Sequence, residues 1–210
     1  YIIEKFSNNS AIINIGGVSN ISFVKNNKLF AFDVGPGNSL IDDLMTYFYK
    51  KNYDLNGKIA FSGIENKKII SEILDDDFYS MNYPKSLDRQ YFNKYFKKLI
   101  LIDKESSIRT ASMITILSIM HSLKSINKKF NKIILTGGGR KNLFLFNHLK
   151  KRLLKENIQL TLIDKYGIDG DMLESQMFGY LAVRSYRKLP LSTPTTTGVK
   201  KPISGGILFK

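Results

Sequence analysis

Three short β-type runs stand close together near the start of this chain, at residues 11–15, 21–24 and 29–32, joined by tight polar turns such as Lys25-Asn26-Asn27-Lys28. Runs this short with connections this tight fold back on their neighbours, so the segment is expected to be an antiparallel meander. Two glycine-rich segments punctuate it: Ile15-Gly16-Gly17-Val18-Ser19-Asn20 follows the first run and Phe32-Asp33-Val34-Gly35-Pro36-Gly37-Asn38 follows the third. Glycine takes backbone conformations closed to other residues and lets its N–H groups come close to a phosphate. Asp33 sets a carboxylate at a strand end beside such backbone, which is how a phosphate cradle and a general base are built together.

The rest of the chain alternates helix and strand. After Asn38, a residue type suited to a helix N-cap, the apolar residues Leu40, Ile41, Leu44, Met45 and Phe48 recur at helical spacing. Residues from about 52 to 105 are less regular, with a small helix near 67–74, and read as an insertion. Ser107 is expected to open a long helix to about Ile126, apolar nearly all round and therefore buried on more than one side. A strand at 132–135 then runs into Thr136-Gly137-Gly138-Gly139, with a helix from Asn142 to about Leu154. Strand, glycine turn and helix in that order is the phosphate-binding arrangement of α/β folds. A strand at 158–163 follows, and Gly170-Asp171 is expected to start a helix running to about Arg187, before Pro190 and Pro194.

Composition sets outer bounds. With 210 residues, 43% of them hydrophobic, the chain can bury a sizeable core as one domain or one large lobe. It starts at Tyr1 rather than methionine, which reads as a piece of a longer protein. No run approaches the roughly 18 uninterrupted apolar residues of a membrane helix. Zero cysteines and only two histidines, His121 and His148, leave no disulfide, no thiolate metal site and no expected metal site of other kinds, and fit the cytoplasm. The net charge of +14 raises nucleic-acid binding as a rival reading. The lysines, however, are scattered as pairs at helix ends and loops, without an aromatic-interleaved basic stripe, so a solvated surface is the better reading.

The order βββαβαβα resembles one half of the sugar kinase, heat-shock chaperone and actin superfamily, an actin-like ATPase lobe of ribonuclease H-like α/β class. Within it the strings INIGGVSN, FDVGPGNSLIDD, PKSLDRQYFN, LTGGGRKN and GIDGDMLESQMFGYLAVRS resemble, in order and spacing, the C-terminal portion of the anhydro-N-acetylmuramic acid kinase family. That resemblance implies one C-terminal lobe over residues 1–210, with the lobe carrying the first phosphate loop lying outside this sequence. It implies an enzyme that uses ATP with Mg2+ to open 1,6-anhydro-N-acetylmuramic acid and phosphorylate its six-hydroxyl in cell-wall recycling, with the isolated lobe inactive. It leaves a homodimer open and implies no nucleic-acid or membrane partner. A non-catalytic sugar- or nucleotide-binding remnant is the alternative.

Site residues carry over position by position. Gly16, Gly17, Ser19 and Asn20 look like the phosphate loop near the β- and γ-phosphates, where the plainer reading is a hairpin turn. Gly137, Gly138 and Gly139 with Asn142 look like the adenosine-side loop. Asp33 is the carboxylate implied to activate water against the anomeric carbon; the competing role is a turn aspartate capping its own loop. Gly35 and Asn38 line the sugar side. Val34 stands where the family more usually has threonine. Glu174 is implied to help orient the water, although with Asp171 it also has the spacing of a helix capping box. Arg89 can pair with an anion such as the lactyl carboxylate of the sugar, with a neighbouring subunit, or in a surface salt bridge.

Overall fold

The computed structural model of the chain describes residues 2–207 and 209. The three early runs form the expected meander: β1 (Ser10–Ile15), β2 (Val18–Lys25) and β3 (Lys28–Pro36), paired antiparallel in sequence order. The β2–β3 turn uses Asn26 at φ 51 and Asn27 at φ 57, a left-handed pair that asparagine tolerates and that matches the twist of the strands it joins. Each strand extends beyond its apolar run, because polar residues at the ends still pair through the backbone.

Two further strands, β4 (Lys132–Thr136) and β5 (Gln159–Leu162), add in parallel beside β1 and give the sheet order β3-β2-β1-β4-β5. The helices between them are α1 (Ser39–Tyr49), α2 (Lys58–Ser62), α3 (Lys67–Leu74), α4 (Asp77–Ser80), α5 (Phe96–Leu99), α6 (Lys104–Ser125) and α7 (Leu143–Lys155), with α8 (Leu173–Tyr186) after β5. The element order is the expected βββαβαβα of an α/β fold, with a helical segment inserted between α1 and α6.

The 22-residue α6 is the hub of the core, packed against β3, α1, α2, α3 and α7, so its sequence is apolar or small on nearly every side. It begins three residues before the expected Ser107, because Asp103 caps it by accepting from the Ser106 N–H at 2.9 Å. The inserted segment hangs on an acidic residue that the sequence pattern gave no reason to single out. The Asp76 side chain is only 3% exposed and accepts from the Phe78 N–H, the Tyr91 and Tyr95 hydroxyls and the Lys94 ammonium. Burial pushes its carboxyl up, yet these donors together hold it down at about 2.

The C-terminal region is built differently. No residue of α8 is buried, and Met177, Phe178, Val183 and Tyr186 stand exposed on it. The helix starts at Leu173 rather than at the expected Gly170-Asp171, and Met172 sits at its N-cap without a side-chain cap. Asp171 is drawn elsewhere, to Arg140 and Lys141, so the capping-box alternative for Asp171 and Glu174 does not form. The tail then returns to the edge of β3, where the Ala31 N–H donates to the Thr195 carbonyl at 3.2 Å. Among the described residues no helix is long and apolar enough to cross a membrane.

Candidate active site

At one end of the sheet the two early glycine segments lock together through backbone. The N–H of Gly37 donates to the Gly17 carbonyl at 2.9 Å, that of Asn38 to the Gly16 carbonyl at 2.7 Å and that of Ser39 again to Gly17 at 3.1 Å. The approach is so close that a Cβ on Gly37 would lie 2.2 Å from the Gly16 oxygen, which is why no other residue fits. The Ser19 hydroxyl donates inward to the Pro36 carbonyl at 3.3 Å and is fully buried, so it braces the turn. From behind, Thr115 of α6 donates to the Gly37 carbonyl at 2.8 Å.

The register of the sheet lines up a polar row beside this lock. Asp33 on β3 pairs with Asn20 on β2, Asn20 with Asn14 on β1, and Asn14 with Thr136 on β4. Residues paired across neighbouring strands point to the same face, so one carboxylate, two amides and a hydroxyl cross four strands in a line. A register irregularity between Ser19 and Asn20 shifts the β2–β3 pairing by one residue and brings Asn20 opposite Asp33. The Thr136 hydroxyl in this row is buried and has no hydrogen-bond partner among the described residues.

Asp33 itself is half-buried and held by the inserted segment. Its N–H donates to the Lys85 carbonyl at 2.9 Å, and its Oδ2 accepts from the Leu87 N–H at 2.7 Å. Its Oδ1 accepts no hydrogen bond from the described residues. Burial raises the Asp33 carboxyl above its ordinary value, and the Leu87 bond pulls it back only in part. A carboxylate with one oxygen fixed and the other open, its proton affinity raised, has the form a general base needs.

The third glycine turn meets the first two through Asn38 and Asn14. Gly137, at φ 80, carries its backbone so near Asn14 and Ile15 that a Cβ would sit 2.5 Å from Asn14 Oδ1 and 2.6 Å from the Ile15 oxygen. Gly139 packs as closely onto the Ile15 side chain, at 2.3 Å for an added Cβ. Gly138 instead is exposed, its nearest neighbour being Asn38 Nδ2 at 3.9 Å, so the turn is tight behind and open in front. Asn38 does not cap α1 with its side chain; its Nδ2 reaches the Ile15 carbonyl at 3.5 Å, between the two turns. Asn142 caps α7, its Oδ1 accepting from the Leu145 N–H at 3.2 Å.

Arg89 lies across the mouth of the first turn. Its Cδ and Nε come within 3.5 Å of where a Gly17 Cβ would be, and its Nη2 pairs with Asp43 Oδ1 at 3.2 Å while more than half of the side chain stays in solvent. Beneath it the Asp42 carboxyl is pushed up to about 7, by burial first and by the neighbouring Asp43 second, with Arg89 opposing. Gly16, Gly17, Asp33, Gly35, Asn38, Arg89 and Gly137–Gly139 thus gather at one end of the sheet. Glu174 is exposed in the first turn of α8, and among the described residues no hydrogen bond or ion pair ties it to them. The sequence reading missed Asn14, Asp42 and Arg140. The only signal for them was position, since each stands within five residues of a glycine motif.

The sequence profile of the family described as anhydro-N-acetylmuramic acid kinase matches residues 1–210. The anhydro-N-acetylmuramic acid kinase of Pelagibacter ubique is 44% identical over 215 residues, an alignment covering 99% of this chain and 56% of that protein. The kinase of the same name from Agrobacterium fabrum is 34% identical, covering 99% of this chain and 55% of its own length. This chain therefore spans about half the length of these curated relatives. Among solved structures, the activator of the 2-hydroxyisocaproyl-CoA dehydratase from Clostridium difficile superposes with a TM-score of 0.45 at 12% identity, over 76% of this chain and 55% of that one. With a profile match from the first residue to the last and relatives of one name at this level of identity, the chain belongs to the anhydro-N-acetylmuramic acid kinase family.

Proposed function

We propose that this chain is the C-terminal lobe of a kinase that opens 1,6-anhydro-N-acetylmuramic acid and phosphorylates it, with Asp33 as the general base. The observation that carries the reading is the carboxylate itself: half-buried, one oxygen tied to the Leu87 N–H, the other open beside the glycine turns. Asp33 takes a proton from a water molecule as that water attacks the anomeric carbon. The bond from that carbon to the bridging oxygen breaks, and the freed six-oxygen attacks the γ-phosphorus of ATP, with ADP as leaving group. Gly35 and Asn38 line the sugar side, and Arg89 meets an anionic group of the sugar. Glu174 helps to orient the water once the sugar is in place.

The nucleotide side rests on Gly16, Gly17 and Asn20 for the β- and γ-phosphates, with Ser19 bracing their turn from behind, and on the Gly137–Gly139 turn for the adenosine. The open front of Gly138 suits that role, because any side chain there would stand where the nucleotide lies. Mg2+ arrives with ATP: it keeps most of its waters and needs only one or two protein oxygens when phosphates supply the rest. Asp33 and Asn20, paired across β3 and β2 in the polar row, would supply such oxygens. Phosphoryl transfer calls for charge neutralisation from both sides of a cleft, so the 210-residue chain alone is expected to be inactive. The setting is the cytoplasm, in the recycling of cell-wall sugars.

The test is Asp33→Asn in the complete kinase. Asparagine keeps the size and the Leu87 bond but cannot take the proton, so sugar opening and ADP formation should fall together by about 100- to 10,000-fold. Sugar affinity by calorimetry should stay within a few fold. Retention of more than about a tenth of the wild-type single-turnover rate, less than ~1.4 kcal/mol of lost stabilisation, would remove Asp33 from the chemistry. In the wild type, kcat/KM should fall on the acid side of a carboxyl pKa lying above the ordinary range near ~4, because the base works only when ionised and burial raises its pKa.

A further inference from the structure

Arg140 follows the Gly137–Gly139 turn directly, yet its side chain is only 4% exposed, an unusual fate for an arginine. Its guanidinium is used on three sides. Nε and Nη2 grip Asp164 in a two-point pair at 2.9 and 3.1 Å, while Nη1 donates to Asp171 Oδ1 at 2.9 Å and to the Gly137 carbonyl at 3.2 Å. Gly170 lies flat against the group: a Cβ there would be 2.5 Å from Nε. One side chain thus joins the glycine turn after β4, the end of β5 and the segment that leads into α8.

Asp171 stands three residues before Glu174, and α8 buries none of its own residues. Apolar packing therefore does not fix where the first turn of α8 sits; Asp171 does, with one oxygen on Arg140 Nη1 and the other on Lys141. We infer that Arg140 is a positioning residue that holds the head of α8, and with it Glu174, in a set relation to the Gly137–Gly139 turn. The two-point pair with Asp164 fixes the plane of the guanidinium, so that Nη1 meets Asp171 from a set direction, and lysine cannot reproduce both contacts. The part concerning catalysis rests on the proposed role of Glu174; the part concerning geometry does not.

The test separates the two. Asp171→Asn is the first variant, because its carboxylate is exposed and its loss leaves the Arg140–Asp164 pair intact; Arg140→Met and Arg140→Lys follow. In the chain of residues 1–210, hydrogen exchange of the Met172 and Gln176 amides, which bond the Asp169 and Met172 carbonyls at the head of α8, should quicken by about threefold or more in Asp171→Asn, with β1 and β4 unchanged. Unchanged exchange in α8 would overturn the positioning role, whatever Glu174 does. In the complete kinase, Arg140→Met should lower kcat and, by freeing the Gly137 carbonyl, also raise the KM for ATP, with only slight rescue by lysine. Asp171→Asn, by contrast, should lower kcat by about 10- to 100-fold, the range expected of a misplaced group, with that KM little altered. Combined with Glu174→Gln, Asp171→Asn should cost no more than the larger single loss, as two residues acting through one group do. Additive losses would show that Arg140 does not act through Glu174. Quickened exchange together with full activity in Glu174→Gln would keep the clamp and sink the role of Glu174.

Discussion

The two acidic residues of the proposed chemistry sit in regions held by opposite means. Asp33 stands beside an interlock of backbone hydrogen bonds among Gly16, Gly17, Gly37, Asn38 and Ser39, backed by the buried α6. Glu174 stands on a helix with no buried residue, tied at its head by ion pairs to Arg140 and Lys141. Backbone bonds between residues that tolerate no side chain leave little room for adjustment. A helix held by a few charged contacts can be moved at small cost. Asp33, the proposed base, therefore stands on a mount of backbone bonds, and Glu174 on one set by a few charged contacts.

The sharpest way to break this comparison is the same substitution made in both regions. Gly37→Ala drives a Cβ to 2.2 Å from the Gly16 oxygen and 3.0 Å from the Val18 carbonyl carbon, both backbone. A loss of about 3 kcal/mol or more is expected in urea denaturation of the 210-residue chain, at the upper end of overpacking effects. A loss under about 1 kcal/mol would mean the interlock yields as easily as a surface loop. Gly179→Ala, in the middle of α8 with nothing within 4 Å of the added Cβ, should change stability in the other direction. Alanine is the better helix former by up to about 1 kcal/mol, so the midpoint should rise. A fall would show a surface pressed against α8.

The smallest effect is one of pH. The pairings to Arg140 first and Lys141 second hold the Asp171 carboxyl at about 2, and Arg140 likewise lowers Asp164. Depressed carboxyl values mean that the contacts are fully present above the ordinary range near ~4 and fade as pH falls through the folded-state value. The interlock contains no titrating partner. Hydrogen exchange at pH 5 and at pH 2.5, each corrected for the intrinsic rate, should show α8 loosening at its head while β1 and β2 keep their protection. Equal loosening of both regions would erase the distinction.

The order of strands and helices was legible because it rests on local chemistry: short apolar runs, polar turns such as Asn26-Asn27, and the helical spacing of Leu40, Leu44 and Phe48. Positions settled by distant partners were not. Asp171 looked like part of a capping box, but it turns to Arg140, 31 residues back in the chain. Asn38 looked like a helix cap, yet its side chain spans two glycine turns. Asp76 gave no sign of its four donors, of which Tyr91, Lys94 and Tyr95 stand 15 to 19 residues on and face it only once the inserted segment has folded. The motifs told where the site would gather; the polar row of Asn14, Asn20 and Thr136 beside Asp33 needed the register of the sheet.

The contact between Gly35 and Ser118 limits which neighbouring sequences this lobe can reach by mutation. Gly35 sits at φ +154, and a Cβ there would fall 2.5 Å from the Cβ of Ser118, deep in α6. Ser118→Gly would remove that clash at a helix cost of about 1 kcal/mol, but it would also take a hydrogen-bond partner from the buried Tyr79 hydroxyl, which still lies 3.2 Å from the added Cβ, and Gly35 would keep a backbone angle that side-chain-bearing residues rarely adopt. The paired exchange is thus as closed as the single one. Any other residue at position 35 therefore requires the end of β3, two residues from Asp33, to be rebuilt.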